Sequence, residues 1–275
     1  MSTERSALVG ELAGLALDVA REAAVLIREH AAAGVSVAAT KSSDIDIVTA
    51  ADRATEALIR ERLIARRPDD AILGEEGDDR PGTSGVRWIV DPIDGTVNFL
   101  YGLPQYAVSI AAELDGEVVA GVVIDVGKGE AGVEYVARPG EDGATLALRD
   151  GVPISVRDPA PVEQRLIGTG FSYLAELRAV QATALARLLP QVRDIRRLGS
   201  CALDLCHVAE GSLDGYFEEA VNLWDHAAGA LIARAAGATT TLVPGAGGHD
   251  LLVCAPSHGF DELCDLTRKA GFWAE

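Results

Sequence analysis

The chain has 275 residues, and 48% of them are hydrophobic, so it is long enough to bury a large globular core. Its 42 acidic and 24 basic residues leave a formal net charge of −18, which repels nucleic acid and anionic membranes and disfavours both as partners. The N-terminus lacks a basic segment followed by an apolar one, and no apolar stretch approaches the length of a membrane span. These features predict a cytoplasmic protein.

The four cysteines stand at positions 201, 206, 254 and 264, without a C-x-x-C pair and without histidines at zinc spacing. This pattern predicts buried, reduced thiols and neither a disulfide framework nor a zinc site.

Two helices are predicted in the N-terminal part of the chain. Apolar residues recur at helical spacing over residues 8–34 and predict a long amphipathic helix. Thr49 and Asp52 match a capping box at the start of a second helix, which Pro68 stops. The polar segment around Lys41, between the two helices, predicts an exposed loop.

Strands dominate the middle of the chain. A short apolar strand at 71–73 leads directly into Glu75. A hairpin is predicted over residues 106–126, where Asp115 and Gly116 separate two apolar runs, and two shorter strands follow.

The C-terminal part alternates strands with helices. Helices are predicted at 173–189, 202–210, 225–236 and up to 270, and strands up to 168, near 195, at 213–217 and at 251–254. Because no repeat and no low-complexity linker interrupts the chain, the pattern predicts one domain of layered helices and sheets, with halves at about 1–155 and 156–275.

The most informative segment begins with an apolar run at 88–90, which predicts a buried strand that ends in Asp91. Asp94 follows one tight turn later, Gly95 permits the geometry of the turn, and Thr96 is suited to open a helix. Two carboxylates held this close repel each other unless a cation lies between them, and Mg²⁺ prefers such oxygen ligands. The turn therefore predicts a metal site, although Asp-Pro and Asp-Gly pairs also occur in plain strand-ending turns.

Other oxygen atoms are placed to complete such a site. Glu75 follows a short strand as Asp91 does, so the two carboxylates share a cation with Asp94 if the strands are neighbours. The carbonyl oxygen of Ile93 lies within the same turn. Asp225 starts a predicted helix and is a candidate ligand, although a carboxylate at that position also serves as an ordinary cap.

Asp52 gains a second role if the fold brings it to Thr96. A carboxylate that accepts a hydrogen bond from the threonine hydroxyl orients this hydroxyl towards an attacking water. His226, next to Asp225, is interpreted as structural, because Mg²⁺ prefers oxygen to nitrogen.

Four motifs occur in the order that is typical of one family. They are Lys41-Ser-Ser before Asp46-Ile-Val-Thr-Ala-Ala-Asp52, then Gly74-Glu75-Glu76, then Asp91-Pro-Ile-Asp94-Gly-Thr96, and finally Trp224-Asp225-x-Ala-Ala-Gly229. Over nearly its whole length the chain resembles the inositol monophosphatase family. The resemblance implies an α/β fold, a five-layered αβαβα sandwich, and usually a homodimer. It also implies hydrolysis of phosphate monoesters with Mg²⁺, and inhibition by lithium.

The resemblance also implies a role for each matching position. The residues that match ligands of two or three Mg²⁺ ions are Glu75, Asp91, Ile93 through its carbonyl, Asp94 and Asp225. Those that match the catalytic group activating water are Glu75, Thr96 and Asp52. Those that match the substrate-binding positions are Asp94, Gly95, Thr96, Gly199, Ser200, Cys201, Glu218 and Asp225. The family usually has alanine where Cys201 stands, and Lys41 matches its mobile loop.

The resemblance favours inositol 1-phosphate as substrate, because Glu218 suits vicinal hydroxyls. Relatives act on histidinol phosphate, fructose 1,6-bisphosphate or 3′-phosphoadenosine nucleotides, and Glu218 suits a cationic amine as well. A bisphosphate requires cations opposite the metals, for which Arg193, Arg196 and Arg197 are candidates. A regulatory binding role without catalysis is the alternative from another functional class.

Overall fold

The structure, a computed structural model, describes residues 3–34, 37–40, 47–140 and 143–274. The α-helices in these ranges are α1 (Thr3–Ala33), α2 (Ala50–Arg66), α3 (Thr96–Tyr101), α4 (Ala175–Leu188), α5 (Cys201–Ala209), α6 (Leu223–Ala235) and α7 (Phe260–Ala270). The strands are β1 (Val37–Thr40), β2 (Ile47–Thr49), β3 (Ala71–Gly74), β4 (Val86–Asp94), β5 (Ala107–Leu114), β6 (Glu117–Asp125), β7 (Val133–Pro139), β8 (Thr145–Arg149), β9 (Val152–Pro153), β10 (Leu166–Thr169), β11 (Asp194–Arg196), β12 (Gly215–Glu219), β13 (Ala238–Pro244) and β14 (Asp250–Pro256).

Two large sheets form the framework. One has the strand order β3-β4-β5-β6-β7-β8-β9, with β3 parallel to β4 and the other neighbours antiparallel. The other has the order β11-β10-β12-β14-β13, with β10 parallel to both of its neighbours. Strands β1 and β2 form a separate antiparallel pair just before α2.

Helices cover both sheets and separate them. On one face of the seven-stranded sheet, α1 and α2 pack in a core that contains Ile59 and Trp88. Ile89 is the next residue along β4, so it faces the opposite side, where it packs with Leu205 of α5 and with α6 between the two sheets. Helices α4 and α7 cover the outer face of the five-stranded sheet, around Leu188. The predicted five-layered αβαβα sandwich is confirmed.

The helices and strands agree with the sequence prediction except at a few points. The prediction that the buried strand ends in Asp91 is wrong, because β4 continues to Asp94, which pairs with Ala107. The register shifts between the two aspartates, where Pro92 has no N–H to donate to the ladder. Strands β1, β2, β9 and β13 were not predicted. The predicted halves at about 1–155 and 156–275 stay a prediction.

Other predictions concern single residues. Thr49 caps α2, and its capping box with Asp52 is confirmed. All four cysteines are buried and free, as predicted. The Lys41 loop lies outside the described residues. In the described part of the chain, no helix has the length and apolar character needed to cross a lipid bilayer.

Asp70 fixes the start of the strand that carries the two aspartates. Its buried carboxylate accepts hydrogen bonds from Trp88 Nε1 at 2.9 Å, Ser84 Oγ at 2.6 Å and Arg67 Nε at 2.9 Å. This one side chain therefore ties β4 and its preceding loop to the end of α2.

We predict that Asp70→Ala lowers the free energy of unfolding by about 3 kcal/mol, because it leaves a buried indole N–H and a guanidinium without their acceptor. Urea unfolding followed by circular dichroism measures the change. Asp69→Ala is the matched control, since this neighbouring side chain is exposed. Equal stability of the two variants contradicts the role of Asp70.

Candidate active site

A cavity of about 400 Å³ is lined by residues of both sheets and of the helices between them, and four carboxylates lie close together at one end of it. Glu75 comes directly after β3, and Asp91 lies in the parallel neighbour β4, in which Val90 pairs with Gly74. The two strand ends are therefore neighbours, and both side chains emerge at the same edge of the sheet. Asp94 and Asp225 line the same end of the cavity.

The two aspartates of β4 are held by different partners. Asp91 is 1% exposed, and its Oδ1 accepts a hydrogen bond from the backbone N–H of Ile93 at 3.0 Å. Asp94 Oδ2 accepts from Ser200 Oγ and from the backbone N–H of Ala202, both at 2.6 Å. The start of α5 therefore fixes Asp94, although no sequence pattern near Asp94 indicates this partner.

Gly95 is required by the turn after β4. Its φ of +96° is one that other residues rarely adopt. A Cβ at this position would also stand 2.8 Å from the carbonyl oxygen of Gln105 and 3.2 Å from that of Gly199. Close contact with both segments brings Thr96, the first residue of α3, into the wall of the cavity.

The fold brings Asp52 to Thr96, which was the condition for its second role. The Thr96 hydroxyl lies 3.1 Å from Asp52 Oδ1 and 3.0 Å from the carbonyl oxygen of Ile93. A hydroxyl has one proton, so it donates to one of these two acceptors at a time. The other carboxylate oxygen, Asp52 Oδ2, accepts from the backbone N–H of Thr49 at 2.7 Å, which keeps the carboxylate in place.

Asp225 enters the cavity from the first turn of α6. Its Oδ2 accepts from the backbone N–H of Asn222 at 2.6 Å, so the residue is both a cap and part of the cavity wall. Burial, together with nearby Arg234, lowers the pKa of the adjacent His226 to about 4. Its imidazole is therefore neutral at physiological pH.

The carboxylates raise one another's pKa. Burial raises the pKa of Asp91 well above its usual value, and the charges of Glu75, Asp94 and Asp225 raise it further. Burial is also the main cause that raises the pKa of Asp94 to about 7, against the opposing effect of its hydrogen bonds to Ser200 and Ala202. The hydrogen bonds of these carboxylates therefore do not fully offset the effects of burial and of mutual repulsion.

This donor set fits a hard divalent cation by its chemistry. It consists of carboxylates and the Ile93 carbonyl, which are the oxygen ligands that such ions prefer. A cation there also relieves the repulsion that raises the pKa of Asp91 and Asp94. Within the described ranges, no three His, Cys, Asp or Glu side chains are already gathered as closely as the ligands of one ion.

Other charged groups line the rest of the cavity. Tyr216 Oη donates to Glu218 Oε2 at 2.5 Å. Burial raises the pKa of Glu218, and the hydrogen bond from Tyr216 and the charge of Arg197 oppose this shift. A Cβ at Gly170 would overlap the Glu218 carboxylate, so the glycine leaves room for it. The wall also includes Phe171, Ser172, Tyr173, Leu174, Glu219, Ala220, Val221, Asn222, Trp224 and His249.

The structure gathers the predicted residues that it describes. The predicted residues in the cavity wall are Glu75, Asp91, Ile93, Asp94, Gly95, Thr96, Gly199, Cys201, Glu218 and Asp225. Ser200 and Asp52 contact this wall through Asp94 and Thr96. Lys41 lies outside the described residues.

The candidate arginines do not gather at the cavity. Arg197 lines it, whereas Arg193 donates to the carbonyl oxygen of Gln164 and Arg196 pairs with Asp194 at 2.6 Å.

Several residues near the site were not predicted. Glu219 follows Glu218 on β12 and therefore lies on the opposite face of that strand. Residues 171–174 come close to the predicted positions only through the fold. Glu56 was also missed, although its acidic side chain falls on the buried stripe of α2 with Ile59 and Leu63, and this is a signal in the sequence.

Comparison with known proteins agrees with this geometry. Residues 9–268 match the inositol monophosphatase family. The chain is 44% identical to inositol-1-monophosphatase SuhB of Mycobacterium tuberculosis, over 94% of this chain and 93% of that protein. It is 37% identical to the Nus factor SuhB of Pasteurella multocida, over 81% and 82%.

A solved structure supports the same assignment. The extragenic suppressor protein SuhB of Bartonella henselae is similar with a TM-score of 0.84 and 30% identity, over 94% of this chain and 99% of that one. The family match over residues 9–268 includes the elements that carry all four carboxylates, from β3 to α6. The chain therefore belongs to the inositol monophosphatase family.

Proposed function

We propose that this family member is a Mg²⁺-dependent phosphate monoester hydrolase that converts inositol 1-phosphate to inositol and phosphate. One observation carries the proposal: Glu75, Asp91, Asp94 and Asp225 line one end of a single cavity, where burial and mutual repulsion raise the pKa of the three aspartates. A site with this much uncompensated negative charge is suited to cations, and an anionic phosphate then binds through them.

The four carboxylates and the Ile93 carbonyl would hold Mg²⁺, two or three ions in all by resemblance to the family. When bound, Mg²⁺ lowers the pKa of water and stabilises charge on phosphate oxygens. Asp94 is anchored to the start of α5 through Oδ2, which would leave Oδ1 for the cation and the substrate. Ser200 and Ala202 therefore orient this ligand.

Asp52 and Thr96 orient the attacking water. When the Thr96 hydroxyl donates to Asp52 Oδ1, its oxygen lone pairs accept a hydrogen bond from the water. Glu75 lies at the same end of the cavity and takes part in accepting the proton of the water. Gly95 and Gly199 leave the phosphate and the leaving group close access to the backbone.

The leaving-group end favours a neutral polyol. Glu218 accepts hydroxyl hydrogen bonds, and Tyr216 and Arg197 partly oppose the burial that raises its pKa, so it does not require a cationic ligand. Arg197 in the same wall favours a neutral polyol over a cationic amine such as that of histidinol phosphate. Among the described residues of the cavity wall, Arg197 is the one arginine beside several carboxylates, which disfavours fructose 1,6-bisphosphate.

A regulatory binding role is the second candidate, because three relatives carry the name Nus factor. The formal charge of −18 disfavours direct contact with nucleic acid, so such a role would act through protein partners. A homodimer, inhibition by lithium and a cytoplasmic location stay predictions drawn from the sequence.

We predict Mg²⁺-dependent phosphate release that is fastest with inositol 1-phosphate and absent with EDTA. The comparison esters are histidinol phosphate, fructose 1,6-bisphosphate and 3′-phosphoadenosine 5′-phosphate, and released phosphate is measured colorimetrically. Preference for another ester overturns the substrate but keeps the reaction class. No release from any ester by folded protein favours the regulatory role.

We predict that Asp91→Asn abolishes this release and leaves the fold intact. In EDTA the variant melts at a higher temperature than the parent protein, because one buried, repelled charge is gone. Mg²⁺ raises the melting temperature of the parent protein more than that of the variant, since it binds the folded parent more tightly.

Differential scanning fluorimetry with and without Mg²⁺ measures these shifts, and Asp79→Asn at an exposed position is the control. Full activity of Asp91→Asn contradicts the assignment of Asp91 as a metal ligand. A cellular role that survives the substitution points to regulation instead.

We predict that Thr96→Ala lowers kcat by about 100-fold and changes KM little, because the hydroxyl orients water and does not hold the ester. Thr96→Ser keeps the hydroxyl and retains most of the activity. Initial rates at saturating Mg²⁺ give both constants, and a change confined to KM contradicts the role.

A further inference from the structure

Glu56 connects α2 to the loop that carries Glu75. It lies one turn after Asp52, and Arg60 follows one turn later, so all three project from one side of the helix. The Glu56 side chain is 2% exposed although it carries a carboxylate. A buried charge of this kind requires several hydrogen bonds to be tolerated.

Its two carboxylate oxygens bind the backbone directly after Glu75. Oε2 accepts from the N–H of Glu76 at 2.7 Å, and Oε1 accepts from the N–H of Gly77 at 2.9 Å. The chain leaving β3 is therefore fixed at the two residues that follow Glu75, while the β-ladder with β4 fixes Gly74 before it.

Arg60 completes this arrangement from the same helix. Its Nε donates to Glu56 Oε1 at 2.7 Å, and its Nη2 donates to the carbonyl oxygen of Gly77 at 3.2 Å. The guanidinium thus offsets the charge of Glu56 and holds the same loop at a second atom. Because both charges are paired and bonded, the cluster needs no further ligand.

Two glycines make the close approach possible. A Cβ at Gly74 would overlap the Glu56 carboxylate, and one at Gly77 would stand 2.9 Å from Glu56 Oε1. The pattern Gly74-Glu75-Glu76-Gly77 is thereby explained as a backbone segment shaped to receive a carboxylate from α2.

Holding the loop in place matters because Glu75 comes directly after the last residue of β3, so the β-ladder does not fix it. Its side chain lies beside Asp91 in the cavity wall, and the two carboxyl groups are hydrogen-bonded. We propose that Glu56, supported by Arg60, is a positioning residue that holds Glu75 beside Asp91 and so sets the affinity of the site for Mg²⁺. The proposal rests on the function proposed above.

The test compares Glu56→Gln with the parent protein. The amide keeps the size of the side chain but has one acceptor oxygen, so one backbone N–H loses its partner. We expect the Mg²⁺ concentration at half-maximal activity, and the one at the midpoint of the thermal shift, to rise about 10- to 100-fold. We expect KM for the ester at saturating Mg²⁺ to change by less than about threefold.

Two control variants separate positioning from general stability. Glu61→Gln changes the same residue type on the same helix at an exposed position, and Ile59→Val removes buried volume from α2 without touching the loop. Both are expected to keep the parent Mg²⁺ midpoint. Arg60→Gln is expected to raise the Mg²⁺ midpoint, as Glu56→Gln does. It replaces Glu56→Gln as the test variant if that protein fails to fold.

Each outcome decides between the two proposals. An unchanged Mg²⁺ midpoint in folded Glu56→Gln, or an equal shift in Ile59→Val, overturns the role of Glu56 while the parent protein still responds to Mg²⁺. A parent protein that shows neither a Mg²⁺-dependent thermal shift nor phosphate release overturns the proposed function and this role with it.

Discussion

Mutual repulsion among buried carboxylates is the constraint on which the arrangement of this site depends. Burial raises the pKa of Asp91, Asp94 and Asp225, and their neighbours raise it further, so the folded chain bears an electrostatic cost at one end of its cavity. Backbone donors limit that cost, since Asp94 binds the start of α5 and Asp225 binds the backbone before α6. The surrounding elements thus hold charges in a position that the charges alone disfavour.

Helix α2 contributes to the site more than its place in an outer layer indicates. One side of it carries Asp52, which contacts the Thr96 hydroxyl, and Glu56, which binds the loop after Glu75. One helix therefore holds two of the segments that line the cavity. The helical repeat sets the spacing between its two contacts with them. The same helix is fixed to β4 through Asp70, which binds both Arg67 and Trp88.

Two groups of charges line the cavity. Glu75, Asp91, Asp94 and Asp225 lie close together, whereas Glu218 accepts a hydrogen bond from Tyr216 and has Arg197 nearby. In the proposed reaction, the first group would hold the cations and the second would contact the leaving group. Bound cations would also give an acidic protein of formal charge −18 a local means of binding an anion, because they would reverse the sign of the potential where the phosphate lies.

The sequence by itself determined the layered fold and most of the cavity wall, because apolar periodicity and turn residues act locally and the motifs at Glu75, Asp91 and Asp225 are contiguous. It placed the end of β4 wrongly and missed β13, since strand boundaries depend on pairing partners that lie elsewhere in the chain. Only the tertiary structure decided that Asp94 is held by α5 and that Glu56 holds the Glu75 loop. These contacts join residues 20 or more positions apart, and local sequence preferences carry no information about such distances.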